Sequence, residues 1–286
     1  MKLLRTVAEL RAALAPRRRA GERIGLVPTM GAFHEGHLAL MRRARHTCDV
    51  VVVSLFVNPV QFRPGEDLAA YPRDEAHDTA LAAEWAVDLL FVPELEEVYP
   101  DGFATTVAVA GLTEPLEGEA RGPEHFPGVT TVVCKLFNMV GPDVAFFGQK
   151  DGQQAAVVRR MVSDLDIPVE IEILPTVREP DGLALSSRNA CLGPADRERA
   201  VALHRALEAA EQAVARGERE PGAVRKTAMS AMAPFDVEPE YLALVRPDTL
   251  APVDAVEGDV MVAVAARVGR TRLIDNTLIH TNGRPR

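Results

Sequence analysis

Residues Val50 to Phe56 read VVVVSLF, a run of β-branched and apolar side chains with almost no polar alternation. A strand with one wet face alternates apolar and polar residues. One that does not must be covered on both faces, which is the condition of a strand inside a parallel sheet flanked by helices. The neighbouring segments carry the matching pattern. Arg23 to Val27 (RIGLV) is a short apolar run closed by Pro28, followed by the turn-rich TMGAFHEG and the helix-patterned HLALMRRARHT. After the valine run come a loop with Asn58-Pro59 and Pro64-Gly65, a helix expected over about Asp74 to Ala86, and a third strand over Asp88 to Val92. Val129 to Met139 reads as helix or buried strand. Val144 to Phe147 reads as a strand ending at Gly148, Gln153 to Leu165 as a helix, and Val169 to Leu174 as a strand. Strands alternating with helices imply βαβ units and an α/β, doubly wound, Rossmann-like parallel sheet. Ligands of such sheets sit beyond the carboxyl ends of the strands, so the loops after Val27, Phe56 and Phe147 should share one functional edge.

The pattern changes after about residue 176. A long Ala-rich helix is expected from about Pro194 to Arg216 and a second from Gly222 to Met232. Short strands follow at Tyr241 to Val245, Val260 to Val268 and Arg272 to Ile274, with a frayed tail, TNGRPR. This reads as a smaller α+β domain, with residues 1–176 as the larger domain and 177–286 as a C-terminal lid. The N-terminal MKLLRTVAELRAALAPRRR spaces its Leu and Val as on an amphipathic helix and lacks the apolar core of a signal peptide, so it belongs to the fold. No apolar run reaches membrane-spanning length, and a cytoplasmic chain is expected. A net charge of -9 argues against a general nucleic-acid binder. Cys48, Cys134 and Cys191 are far apart without a C-x-x-C pair, which disfavours a disulfide frame or a cysteine metal site.

Four segments carry candidate chemistry. In Pro28 to His37 (PTMGAFHEGH), two histidines flank a glycine where a strand passes into a helix. Helix N-termini offer unpaired N–H groups and a positive dipole end, and Gly31 and Gly36 permit close backbone approach. His34 and His37 can donate hydrogen bonds to phosphate oxygens, more strongly when protonated; equally, they can form a helix cap and a packed turn. Phe147 to Gln154 (FGQKDGQQ) also joins a strand to a helix, and its Lys150 suits a phosphate or a solvated loop. Leu185 to Asn189 (LSSRN) offers hydroxyls and an Arg fork for a triphosphate, or a cap and surface turn. In Phe56 to Phe62 (FVNPVQF), Gln61 can read a hydroxy acid or bond within its loop.

Together these segments resemble the pantothenate synthetase family (pantoate–β-alanine ligases). PTMGAFHEGH, FVNPVQF, FFGQKDGQQ and LSSRN occur in that family's order and spacing. YPR at Tyr71 to Arg73, HFPGV at His125 to Val129, PTVRE at Pro175 to Glu179 and TRLIDN at Thr271 to Asn276 also fit, so the resemblance covers almost the whole chain. It implies a Rossmann-like domain, a smaller C-terminal domain and a homodimer. It also implies a reaction: ATP and pantoate give pantoyl adenylate and pyrophosphate, and β-alanine then gives pantothenate and AMP. By resemblance ATP contacts Met30, Gly31, Ala32, Phe33, His34, Glu35, Gly36 and His37, with His37 the proton donor. Gly148, Gln149, Lys150, Asp151, Val177, Leu185, Ser186, Ser187 and Arg188 complete the nucleotide site, and Gln61 and Gln154 hold pantoate. His34, His37, Lys150 and Arg188 would carry the charge stabilisation.

The chain departs from the family pattern at three places. Gly152 stands where an aromatic residue is usual and should loosen the following helix by about 1 kcal/mol relative to alanine. Pro127 stands where a basic residue is common. Of a usual acidic pair, Ala76-His77-Asp78 keeps only Asp78, so no metal ligand is assigned, although Mg²⁺ should accompany ATP. No tightly bound organic cofactor is expected, and neither nucleic acid nor membrane is an expected partner. The alternatives are a nucleotidylyltransferase of the same superfamily, which would leave the nucleotide on its product, and a non-catalytic nucleotide-binding regulator.

Overall fold

A computed structural model describes residues 1–62, 68 and 71–281. The loop expected at Pro64-Gly65 and the tail 282–286 lie outside the described residues. The chain divides into two compact units, one of Met1–Gly148 with Val157–Leu174, the other of Gln149–Ala156 with Pro175–Arg286.

The first unit is a six-stranded sheet: β1 (Lys2–Leu4), β2 (Ile24–Thr29), β3 (Val50–Leu55), β4 (Leu89–Phe91), β5 (Val144–Gly148) and β6 (Glu170–Leu174). The order is β1-β4-β3-β2-β5-β6 and every pairing is parallel. Helices α1 (Val7–Arg19), α2 (Glu35–Thr47), α3 (Glu75–Glu84), α4 (Leu95–Val98), α5 (Glu117–Arg121) and α6 (His125–Val140) connect the strands, and α7 (Gly152–Asp164) has its first residues in the second unit and the rest in the first. Val50 to Val53 are all fully buried, as a strand covered on both faces requires. One face packs Val27, Met41, Val51, Val53, Leu90 and Phe146 into a single core, each such side chain contributing about 1.5–3 kcal/mol.

The order of the strands reverses between β2 and β5. Strands β3 and β4 build outward on one side of β2, and β6 on the other side of β5. In open α/β sheets this switch point leaves a crevice at the carboxyl ends of the two central strands. Those ends are Thr29, which leads into the histidine loop, and Gly148, which leads into Gln149-Lys150.

The second unit packs α8 (Pro194–Arg199), α9 (Ala202–Ala215) and α10 (Pro221–Met232) with a three-stranded antiparallel sheet. Its order is β7 (Pro239–Val245), β8 (Asp259–Val268), β9 (Thr271–His280). On α9 the small side chains of Ala202, Ala206, Ala210 and Ala213 are buried beside Leu203, Leu207 and Val214, in the same core as Val260, Val262 and Val264.

Three elements differ from the sequence reading, and one that it left open is resolved. Lys2–Leu4 is an edge strand paired with β4, not part of the amphipathic helix that follows. Val129 to Met139 resolves as helix, within α6. The single helix expected from Pro194 to Arg216 is two, α8 and α9, separated at Ala200 and Val201. The strand expected at Arg272 to Ile274 runs through to His280 and carries two buried polar residues, Asp275 and Asn276. Among the described residues no helix is long and apolar enough to cross a membrane.

Candidate active site

The loop after β2 is built by hydrogen bonds from a residue far away in sequence. Asp78, in the first turn of α3, is almost fully buried. Its Oδ2 accepts the Ala32 N–H and its Oδ1 the Phe33 N–H, both at 2.8 Å. Gly31 and Ala32 lie at φ 85 and 53, in the left-handed region. For alanine that conformation costs about 1–2 kcal/mol, and the Asp78 carboxylate compensates for it. The Phe33 side chain is buried in the core, so only its backbone faces the loop. Glu35 is exposed and lies 3.6 Å from Arg42.

At the start of α2 the two histidines cap the helix for each other. His34 Nδ1 accepts the Gly36 N–H at 3.1 Å, and His37 Nδ1 accepts the His34 N–H at 3.3 Å. The cap and the phosphate readings are therefore compatible. A neutral imidazole that accepts at Nδ1 carries its proton on Nε2, so the caps assign the tautomer of both rings. The rings pack with centroids 4.2 Å apart. A Cβ on Gly36 would stand 2.8 Å from the His34 ring, which explains the glycine in H-x-G-H.

Also in the first unit, Gln61 ends a short 3-10 turn, Pro59–Gln61. Its Nε2 lies 3.2 Å from Met30 Sδ, which brings Gln61 beside the histidine loop. Pro127 sits in the first turn of α6, where the N–H it lacks would have had no helical partner.

In the second unit the Gln149-Lys150 turn is held by Asn276 of β9. Asn276 Nδ2 donates to the carbonyls of Gln149 (2.8 Å) and Lys150 (2.9 Å), and its Oδ1 accepts from Gln149 Nε2 at 2.8 Å. Neighbouring Asp275 is buried and takes Arg178 in a two-pronged ion pair at 2.6 and 3.0 Å. The Lys150 side chain is mostly buried, with Nζ 3.6 Å from Asp151; it is not a solvated loop lysine. Arg178 bridges Ala184 and the Leu185 N–H donates to the Val177 carbonyl, so Val177 and Leu185 lie side by side. Ser186 caps the 3-10 turn Ser187–Cys191 by accepting the Arg188 N–H. Gln154 lies partly buried in the first turn of α7.

Gly152 has a packing reason. A Cβ there would lie 2.8 Å from Met261 Sδ and 3.1 Å from Asn276 Nδ2. Asp78, Asn276 and Asp275 were not picked out by sequence reasoning as holders of these loops. Their signals were the acid that remains in Ala76-His77-Asp78 and the polar pair inside TRLIDN.

A doubly wound sheet with a histidine-bearing strand–loop–helix at its switch point defines a class of α/β proteins suited to handling phosphate groups. Comparison with known proteins narrows the class. The family model described as pantoate-beta-alanine ligase matches residues 2–278. The pantothenate synthetase of Moorella thermoacetica is 53% identical over 283 residues, 99% of this chain and all of that one. A crystal structure of pantothenate synthetase from Thermus thermophilus is 51% identical, with a TM-score of 0.92, covering 97% of this chain and 99% of that one. A pantoate-beta-alanine ligase from Francisella tularensis, solved with beta-gamma ATP and beta-alanine, is 31% identical with a TM-score of 0.80 over 97% of each chain. The chain belongs to the pantoate-beta-alanine ligase family.

Proposed function

We propose that this protein joins pantoate to β-alanine at the expense of ATP, through a pantoyl adenylate. A pantoate carboxylate oxygen attacks the α-phosphorus of ATP and pyrophosphate leaves. The neutral amine of β-alanine then attacks the acyl carbon, and AMP leaves with the former carboxylate oxygen. No covalent bond to the protein is needed, so positioning and charge stabilisation supply the catalysis. Family membership supports this reading, and the observation that carries it is the paired histidine cap at the carboxyl end of β2. It holds two imidazoles at a helix N-terminus, an arrangement that favours a phosphate.

In this reading His34 and His37 donate to phosphate oxygens and His37 serves as proton donor. Lys150 and Arg188 supply cations, and Ser186 and Ser187 orient phosphate oxygens. By the family resemblance, the residues that contact ATP are Met30 to His37, Gly148 to Asp151, Val177 and Leu185 to Arg188. Gln61 and Gln154 hold pantoate. Magnesium would accompany ATP as MgATP and would help neutralise the triphosphate. A homodimer and a cytoplasmic location complete the reading, supported by the family resemblance.

The test is product analysis with ATP, pantoate and β-alanine, each omitted in turn. The reading expects AMP and pantothenate in equal amounts and only with all three. A nucleotidylyltransferase would make no amine-dependent AMP, and a regulator would make neither product; either result overturns the reading.

A further inference from the structure

Gln61 is an amide, and an amide can present either an acceptor or a donor to a ligand. Which end it presents is decided by what holds the other. Asn58 Nδ2 donates to Gln61 Oε1 at 3.1 Å. The orientation of Asn58 is itself fixed by backbone groups that allow one answer. Its Nδ2 also faces the Gly128 carbonyl at 3.1 Å, which can only accept, and its Oδ1 faces the Val60 N–H at 3.4 Å, which can only donate. The Val60 contact is long. The short bond to Oδ1 comes from the Tyr99 hydroxyl at 2.9 Å, and since Oδ1 is only an acceptor, Tyr99 donates.

Tyr99 is well placed to hold that bond. It follows α4, packs edge-on against Phe103 with ring centroids 5.1 Å apart, and lies 6.2 Å from Phe56. Burial pushes its hydroxyl up to about 12, so it remains a donor at any physiological pH. Gly128 completes the arrangement: a Cβ there would lie 2.8 Å from Gln61 Cα, so α6 approaches the Gln61 turn closely enough for its carbonyl to reach Asn58.

We propose that Tyr99 is a positioning residue which, through the buried Asn58, turns the Gln61 oxygen inward and its Nε2 outward, so that Gln61 reads an acceptor oxygen of the acid substrate. This rests on the reading of Gln61 as a pantoate ligand and specifies its chemistry: a carboxylate or hydroxyl oxygen acting as acceptor. The relay is Tyr99 O–H to Asn58 Oδ1, then Asn58 Nδ2–H to Gln61 Oε1, and it leaves the Gln61 N–H groups for Met30 Sδ and for substrate.

The experiment is a double-mutant cycle of Tyr99→Phe and Gln61→Ala in the full-length protein, read as pyrophosphate release against pantoate and against ATP. Phenylalanine keeps the ring contacts and removes only the hydroxyl. Tyr99→Phe should raise KM for pantoate by about three- to tenfold, the effect of loosening one hydrogen bond, with KM for ATP unchanged. In the Gln61→Ala background Tyr99→Phe should have no further effect, because the group it orients is gone. Equal effects in both backgrounds would overturn the relay, as would a silent Tyr99→Phe beside a damaging Gln61→Ala. If Gln61→Ala itself leaves pantoate dependence unchanged, the pantoate reading of Gln61 fails and the relay's role falls with it. Thermal unfolding of each variant separates these outcomes from loss of fold: a shift in pantoate KM at unchanged unfolding temperature supports positioning, and one that tracks unfolding overturns it.

Discussion

Replacing Asp78 with asparagine tests how the histidine loop is held. The carboxylate accepts two backbone N–H groups at 2.8 Å, from Ala32 and Phe33, in a buried site. Hydrogen bonds to a charged group contribute about 1.5–3 kcal/mol each. Asparagine has nearly the same volume but offers one acceptor, and its NH₂ meets the second N–H as donor against donor. One bond is lost and the other becomes a neutral bond of about 1 kcal/mol. The left-handed conformation of Ala32 (φ 53) costs about 1–2 kcal/mol. The wild-type clamp outweighs that strain, and the asparagine clamp does not. Asp78→Asn should therefore lower stability by about 2–4 kcal/mol, within the roughly 5–15 kcal/mol typical of a folded protein, and let the loop relax. A displacement of His34 and His37 by about 1 Å corresponds to a rate loss near a hundredfold. Denaturant unfolding gives the first quantity; pyrophosphate release per folded molecule gives the second. Wild-type stability would refute the clamp. Lower stability with an unchanged rate per folded molecule would refute its catalytic purpose.

Three further outcomes follow from the same geometry. Asn276→Ala leaves the Gln149 and Lys150 carbonyls without their partner; kcat/KM for ATP should fall about tenfold, from a loss of about 1–3 kcal/mol, as read by pyrophosphate release. Gly152→Ala should destabilise in thermal unfolding, because about 1–3 kcal/mol of overpacking against Met261 and Asn276 exceeds the about 1 kcal/mol of helix propensity gained. Tyr99 is raised from 10.0 to about 12 in the folded state, so the folded protein holds that proton more tightly than the unfolded chain. Its contribution to stability is whole below about pH 10 and disappears as pH rises through about 12. Tyrosinate absorbance should show a late step near pH 12 that Tyr99→Phe removes.

The central strands were readable because local chemistry alone determines them: four adjacent valines cannot make a half-wet strand. α6 was ambiguous because it is buried on several sides, from Phe126 through Val140, and so lacks the apolar stripe that marks a surface helix. β9 was read short because Asp275 and Asn276 interrupt its apolar pattern, and their partners, Arg178 and the Gln149-Lys150 turn, lie about a hundred residues away. The break between α8 and α9 has no glycine or proline to announce it; Ala200 and Val201 stay near helical dihedrals. The motif residues could be named from sequence, since their types and spacing carry the chemistry. The residues that hold them, Asp78, Asn276 and Tyr99, could not, because each acts through a contact that only the fold creates.

The proposed acyl adenylate makes one demand that no rival shares: the carboxylate oxygen that attacks phosphorus must leave with AMP. With pantoate labelled by heavy oxygen in its carboxylate, ATP and β-alanine, mass spectrometry of the AMP should find one labelled oxygen per molecule, and the pantothenate formed should retain one label. Unlabelled AMP formed alongside pantothenate would contradict the adenylate route.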